Sequence, residues 1–167
     1  YSSAPYLKLV YNVSDGVAGL FWATTTSLVG ALICIPSGFV ADYIFKSSAA
    51  MMTAALTVVG VSAAAVYMLP SSKMMMWPAI ILLIVMSVGV FMGKSVILAP
   101  IAELDLPEEI NGSAMAVASF LAYASIIWGN SMTSGIVESH RHNAYEGYQT
   151  VFLITLAVAL AGAACAF

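Results

Sequence analysis

The chain has 167 residues, 62% of them hydrophobic and 8% charged, with a net charge of −3. An ordinary soluble domain carries about 25% charged residues, so 5 Lys/Arg and 8 Asp/Glu cannot cover a water-soluble surface of this size. These values exclude a soluble enzyme and a nucleic-acid binder, which needs a basic patch for phosphate backbones.

Charges delimit the elements in chain order. Residues 1–16 read as the exit of an earlier helix followed by a loop. Uncharged runs then follow: 26 residues between Asp15 and Asp42, 26 between Lys46 and Lys73, and 20 between Lys73 and Lys94. Glu109 to Glu138 encloses 28 more, and 21 follow Glu146. About 20 apolar residues cross a hydrocarbon core of roughly 30 Å. The runs predict helices at 17–41, 48–69, 77–102, 113–137 and 149–167. Stretches such as AIILLIVMSVGVFMG do not alternate in polarity, so helices are expected rather than a barrel. The fold class is therefore an all-α, polytopic membrane helix bundle of about five spans. The first run is too long for a signal peptide.

Pro70, Pro78 and Pro107 sit where helices stop or start, while Pro36 and Pro100 fall inside predicted spans and would kink them. Gly89 and Gly93 form a GxxxG pair, which lets another helix approach closely as ordinary small-residue packing. Cys34 and Cys165 lie in apolar runs, and neither a disulfide framework nor a metal cluster is implied. The final helix lacks a polar tail, which together with the opening segment predicts the trailing part of an even-numbered bundle.

Four segments carry a resemblance. Gly38-Phe-Val-Ala-Asp42-Tyr-Ile-Phe-Lys46 resembles the G-x-x-x-D-R-x-G-R loop of the major facilitator superfamily in its degraded second-half copy. Gly38, Asp42 and Lys46 match, whereas Tyr43 and Phe45 replace the Arg and the second Gly. Pro107-Glu-Glu-Ile-Asn-Gly112-Ser-Ala114 resembles the entry to the eleventh helix of such transporters, and Gly147-Tyr148-Gln149-Thr-Val-Phe152 the entry to the twelfth. The opening segment is similar to the exit of the seventh helix. The resemblance covers essentially the whole chain as a carboxy-terminal half, from late helix seven to helix twelve. It implies half of a twelve-helix major facilitator fold, working with an amino-terminal half of the same transporter around a central site. It also implies that Gly38, Asp42 and Lys46 form a cytoplasmic gate. The count of basic residues disagrees with that orientation, since only Lys46 would lie inside while Lys8, Lys73 and Arg141 lie outside.

Lys94 is the one charge well inside a span. On a helix from 78 to 103 it lies about 24 Å along a path of roughly 38 Å. An ammonium facing lipid there costs about 2.5–3.5 kcal/mol or more, so it should face the bundle interior or a wet cavity. Two readings stand: a substrate or coupling site for an anion, or a snorkelled or structural lysine. In some anion-transporting branches of the resembled family a basic residue stands at a similar distance before the loop proline. Trp22, Thr25 and Thr26 on the first span, and Ser119, Tyr123 and Asn130 on the fourth, are candidate cavity lining by helical spacing. Interhelical hydrogen bonding without a ligand is their other reading. Asp42 near Lys46 suits either a gate or a simple helix cap. His140-Arg141-His142 reads as a solvated loop, too small a set for zinc.

The expected function is secondary active transport of a small organic anion, by alternating access, with substrate exchange or a coupling ion (proton or sodium). Lys94, Tyr123, Asn130, Trp22 and Thr25 are the expected substrate-binding residues. The partners are that substrate, the coupling ion and the lipid bilayer. A multi-pass location in a plasma or bacterial inner membrane is expected. No phosphate-binding Gly loop suggests ATP hydrolysis, and no cofactor or metal is expected. The alternative is a structural or channel-like bundle. An intramembrane enzyme is weaker, since no span holds HExxH, paired aspartates or GxSxG.

Overall fold

The computed structural model describes residues 3–70, 73–104, 106–140 and 143–166. A nine-residue helix, α1 (Ser3–Tyr11), leads the chain. It ends at Asn12, whose φ of 54° is left-handed, while the Val13 amide donates back to the Leu7 carbonyl at 3.4 Å. That pairing is the αL stop common at helix C-termini, where Asn substitutes for Gly.

Five helical segments long and apolar enough to cross a membrane follow. They are α2 (Asp15–Phe45), α3 (Ser48–Met68), the broken span Met76–Ala102, then α6 (Glu108–Ser139) and α7 (Ala144–Ala166). The broken span consists of α4 (Met76–Ser95) and α5 (Ala99–Ala102). The described residues contain no strand. The protein is thus an all-α bundle with the character of a membrane-embedded chain.

Two corrections to the expected helices have local causes. The span expected at 77–102 is not continuous. Pro100 has no N–H for the Val96 carbonyl, which accepts instead from Ala99 at 3.1 Å, and Pro100 opens the short α5. The last helix starts at Ala144, five residues before the expected 149. Tyr145 Oη donates to the Leu69 carbonyl at 2.7 Å, and Gln149 Nε2 donates to Tyr145 Oη at 2.9 Å. Those bonds fasten the first turn of α7 to the last turn of α3, so the helix begins where its tether does.

Helix α3 sits at the centre, against α4 on one side and α7 on the other. Small residues let it do so. A Cβ on Gly89 would stand 2.9 Å from Val59 Cγ2 and 3.1 Å from the Ala55 carbonyl. Ala55 Cβ is also the neighbour nearest the Cβ position of Gly93, so the GxxxG pair is used inside the chain, between α3 and α4. The main core joins Ala63, Val66, Ala79 and Leu83 to Tyr148 and Phe152. Tyr6 of α1 enters it edge-on, its ring 5.2 Å from Phe152 and 5.3 Å from Tyr148. By contrast, none of residues 109–139 is buried; α6 meets the bundle mainly along α7.

Candidate functional site

A cavity of about 220 Å³ opens among α2, α4, α6 and α7. From α2 it is lined by Trp22, Thr25 and Thr26, and from α4 by Ser87, Phe91 and Lys94. Thr133 of α6 and Phe152 and Thr155 of α7 close it. Three of the expected binding residues, Lys94, Trp22 and Thr25, therefore meet in one place.

The local sequence explains how each is held. A five-residue π-helical turn, Thr25–Val29, interrupts α2 at the cavity. Thr25 Oγ1 donates to the Phe21 carbonyl at 2.8 Å and approaches that of Trp22 at 3.1 Å, a back-bond that opens helical turns. A Cβ on Gly30 of α2 would stand 2.9 Å from Cε1 of Phe91 on α4, so the Phe91 ring lies flush on the α2 backbone. Cys34 Sγ adds a weak contact to the Phe91 carbonyl at 3.9 Å.

Lys94 rests on that ring. Its Nζ is 5.4 Å from the Phe91 centroid, within cation–π range. Phe91 is one turn nearer the middle of the span than Lys94, and Lys94 itself is exposed. The break after Ser95 also puts Lys94 in the last turn of α4, at the negative pole of its dipole. Among the described residues Lys94 forms no salt bridge, and no carboxylate lines its cavity.

The hydroxyls divide into two sets. Thr25, Ser87 and Thr155 give their protons to carbonyls of their own helices, the last two at 2.8 Å to Leu83 and Val151. Thr26 and Thr133 make no hydrogen bond among the described residues and keep theirs to give. The cavity thus offers one ammonium, two unengaged hydroxyl donors and three aromatic rings.

Tyr123 and Asn130 lie elsewhere. Helix α6 turns Ser125, Gly129, Met132, Thr133 and Ile136 toward an apolar cleft shared with α3 and α7. At 100° per residue, Asn130 and Tyr123 fall about 115–135° from the middle of that face, and about 60–80° from Thr133, the α6 residue that lines the Lys94 cavity. Both are exposed. Sequence spacing had found a face of α6 that stops short of the cavity. Phe91, Thr133, Thr155 and Phe152 were not anticipated. Phe91 carried a usable signal, since it stands one helical turn before Lys94.

The expected gate residues Gly38, Asp42 and Lys46 line a second cavity, about 430 Å³, at the end of the bundle where α2 meets α3. A cap on α3 was one reading of Asp42, and the structure gives that task to others. Ser47 Oγ accepts from the Ala50 amide at 3.4 Å, and Glu103 Oε1, beyond α5, accepts from the Ser48 amide at 3.0 Å. Asp42 lies in a second π-helical stretch, Val40–Phe45, and makes no hydrogen bond to those amides among the described residues, although it lines the same cavity. Lys46, with φ of 52°, makes the left-handed turn between helices.

At the opposite end, His140 Nδ1 lies 3.0 Å from the Ile136 carbonyl, while Arg141 and His142 fall outside the described residues. No group of three His, Cys, Asp or Glu among the described residues could hold a metal ion. No protein-family model matches the chain, and neither a curated protein nor a solved structure matches it.

Proposed function

We propose that this chain is the membrane-embedded part of a secondary transporter of the major facilitator type, moving a small organic anion by alternating access. The observation that carries the reading is the cavity around Lys94. A cation that lines a cavity within a membrane-spanning segment, with no carboxylate beside it among the described residues, is costly in a bilayer unless something negative visits it. Hydroxyls from several helices around the same ammonium are what a binding site for an anion requires. Further support comes from the resembling segments, which stand at helix ends: Gly38–Lys46 at the end of α2, Pro107–Ala114 at the start of α6, and Gly147–Phe152 in the first turns of α7. On this reading the chain works with an amino-terminal half of the same transporter in a plasma or bacterial inner membrane. Gly38, Asp42 and Lys46 then form a cytoplasmic gate, and exchange or a coupling ion drives transport.

Uptake of labelled organic anions into proteoliposomes tests this, with Lys94→Ala beside wild type. Uptake by the wild type that falls about tenfold or more in the variant supports it. Equal uptake in both removes Lys94 from the mechanism. The second reading, a structural bundle, draws on the Phe91 contact, which gives Lys94 a partner inside the chain. It requires Lys94→Ala to lower the melting temperature while no solute moves in either protein.

A further inference from the structure

The chemistry around Lys94 narrows the anion, and this step rests on the transport reading of the same cavity. We propose that the site takes a small monocarboxylate with a short apolar body.

Charge comes first. Among the described residues Lys94 is the only cation lining the cavity, and no His or Arg joins it. One ammonium balances one negative charge. A dicarboxylate or a phosphate dianion would bring a second charge to the cavity, where the described lining holds no second cation to neutralise it. A neutral solute would leave the ammonium itself unbalanced.

Geometry comes second. A carboxylate has two oxygens and four acceptor sites. Lys94 serves one oxygen, and Thr26 and Thr133, the two lining hydroxyls with uncommitted protons, serve the other. Thr25, Ser87 and Thr155 cannot donate without giving up bonds inside their own helices.

Size and polarity come third. Phe91, Phe152 and Trp22 make much of the remaining wall, which favours hydrocarbon over a second polar end. A cavity of about 220 Å³ lies below the roughly 300–1,000 Å³ of pockets for drug-sized ligands, which favours a short hydrocarbon body. A five-carbon monocarboxylate represents that class.

A matched five-carbon series tests the proposal on the full chain in liposomes. Trp22 lines the cavity, so tryptophan fluorescence reports its occupation, with Trp77 and Trp128 as a constant background. Pentanoate should give a saturable change. Pentanamide, glutarate and inorganic phosphate should bind about tenfold more weakly or worse. Lys94→Met should abolish the pentanoate response and Lys94→Arg keep part of it. Thr26→Val combined with Thr133→Val, which leaves the charge in place, should weaken pentanoate more than it weakens chloride.

Glutarate or phosphate binding as tightly as pentanoate overturns the monocarboxylate assignment. So does a folded wild-type protein that gives no saturable response to pentanoate but carries another anion, and that result leaves the transport reading standing. Saturable pentanoate binding with no flux of pentanoate across the liposome supports the ligand class and sinks the transport reading instead.

Discussion

Lys94 and Lys46 are both exposed and each lines a cavity, one among α2, α4, α6 and α7 and one at the end of the bundle, but their surroundings differ. Lys46 shares its cavity with Asp42 and Glu103, and the Glu103 carboxylate is committed to the Ser48 amide. Lys94 shares its cavity with hydroxyls and rings and no carboxylate. The end cavity sets its lysine beside two carboxylates and fastens α3 to the segment after α5. The inner cavity is unbalanced and so has work for a ligand. Two lysines of equal formal charge therefore differ in role because of what faces them.

Exchanging the inner cation breaks this comparison most severely. Lys94→Met is expected to lower anion affinity about tenfold or more, roughly 1.4 kcal/mol per decade. Lys8→Met is the control. Lys8 pairs with Asp15 at 2.7 Å outside both cavities, and an exposed pair contributes about 0–1 kcal/mol. Isothermal titration with pentanoate checks both, and equal affinities in the two variants would undo the contrast.

Next in size is the support beneath Lys94. Gly30→Val puts a branched side chain where even a Cβ would stand 2.9 Å from the Phe91 ring. Overpacking of that kind costs about 1–3 kcal/mol, and moving the ring moves the ammonium resting on it. A lower melting temperature together with weaker pentanoate binding is expected. Weaker stability with unchanged binding would show that Phe91 does not position Lys94.

The end cavity responds through stability. Glu103→Ala removes the acceptor for Ser48 and a negative charge at the start of α3, together about 1 kcal/mol at an exposed site. Glu103→Gln keeps an acceptor oxygen and should recover part of the loss. Melting temperatures in detergent decide it, and equal melting of wild type and Glu103→Ala would show the bond to be idle.

Much of this was legible in the sequence because charge placement dictates where a chain can cross a membrane. Five spans followed from the runs between charged residues, and Lys94 stood out as the exception to them. What stayed hidden depends on which way helices rotate. Periodicity groups Tyr123 with Asn130 correctly on one face of α6, but it cannot say which face meets the bundle, and Thr133 lies on the one that does. Interruptions were hidden in the same way. Pro100 signalled a kink and gives the break its local cause, but not that α4 already stops at Ser95, which puts Lys94 in a last turn. Long-range capping was the least visible: Glu103 and Ser48 are 55 positions apart, and no local pattern joins them.

The smallest predicted effect concerns the other lysine directly. Lys46 holds φ at 52° and ψ at 23°, a left-handed conformation in which its Cβ crowds the following carbonyl. That costs a non-glycine residue about 1–2 kcal/mol. Gly in its place removes the strain but gives the unfolded chain more freedom, which returns roughly 0.4–1 kcal/mol of the gain. Lys46→Gly should therefore stabilise the protein by about 0.5 kcal/mol, a rise of a few degrees at most. If the protein instead melts lower, Lys46 is held by attraction to Asp42 and Glu103 more strongly than its backbone is strained. The end cavity would then be balanced by that lysine itself, and the contrast with Lys94 would be sharper still.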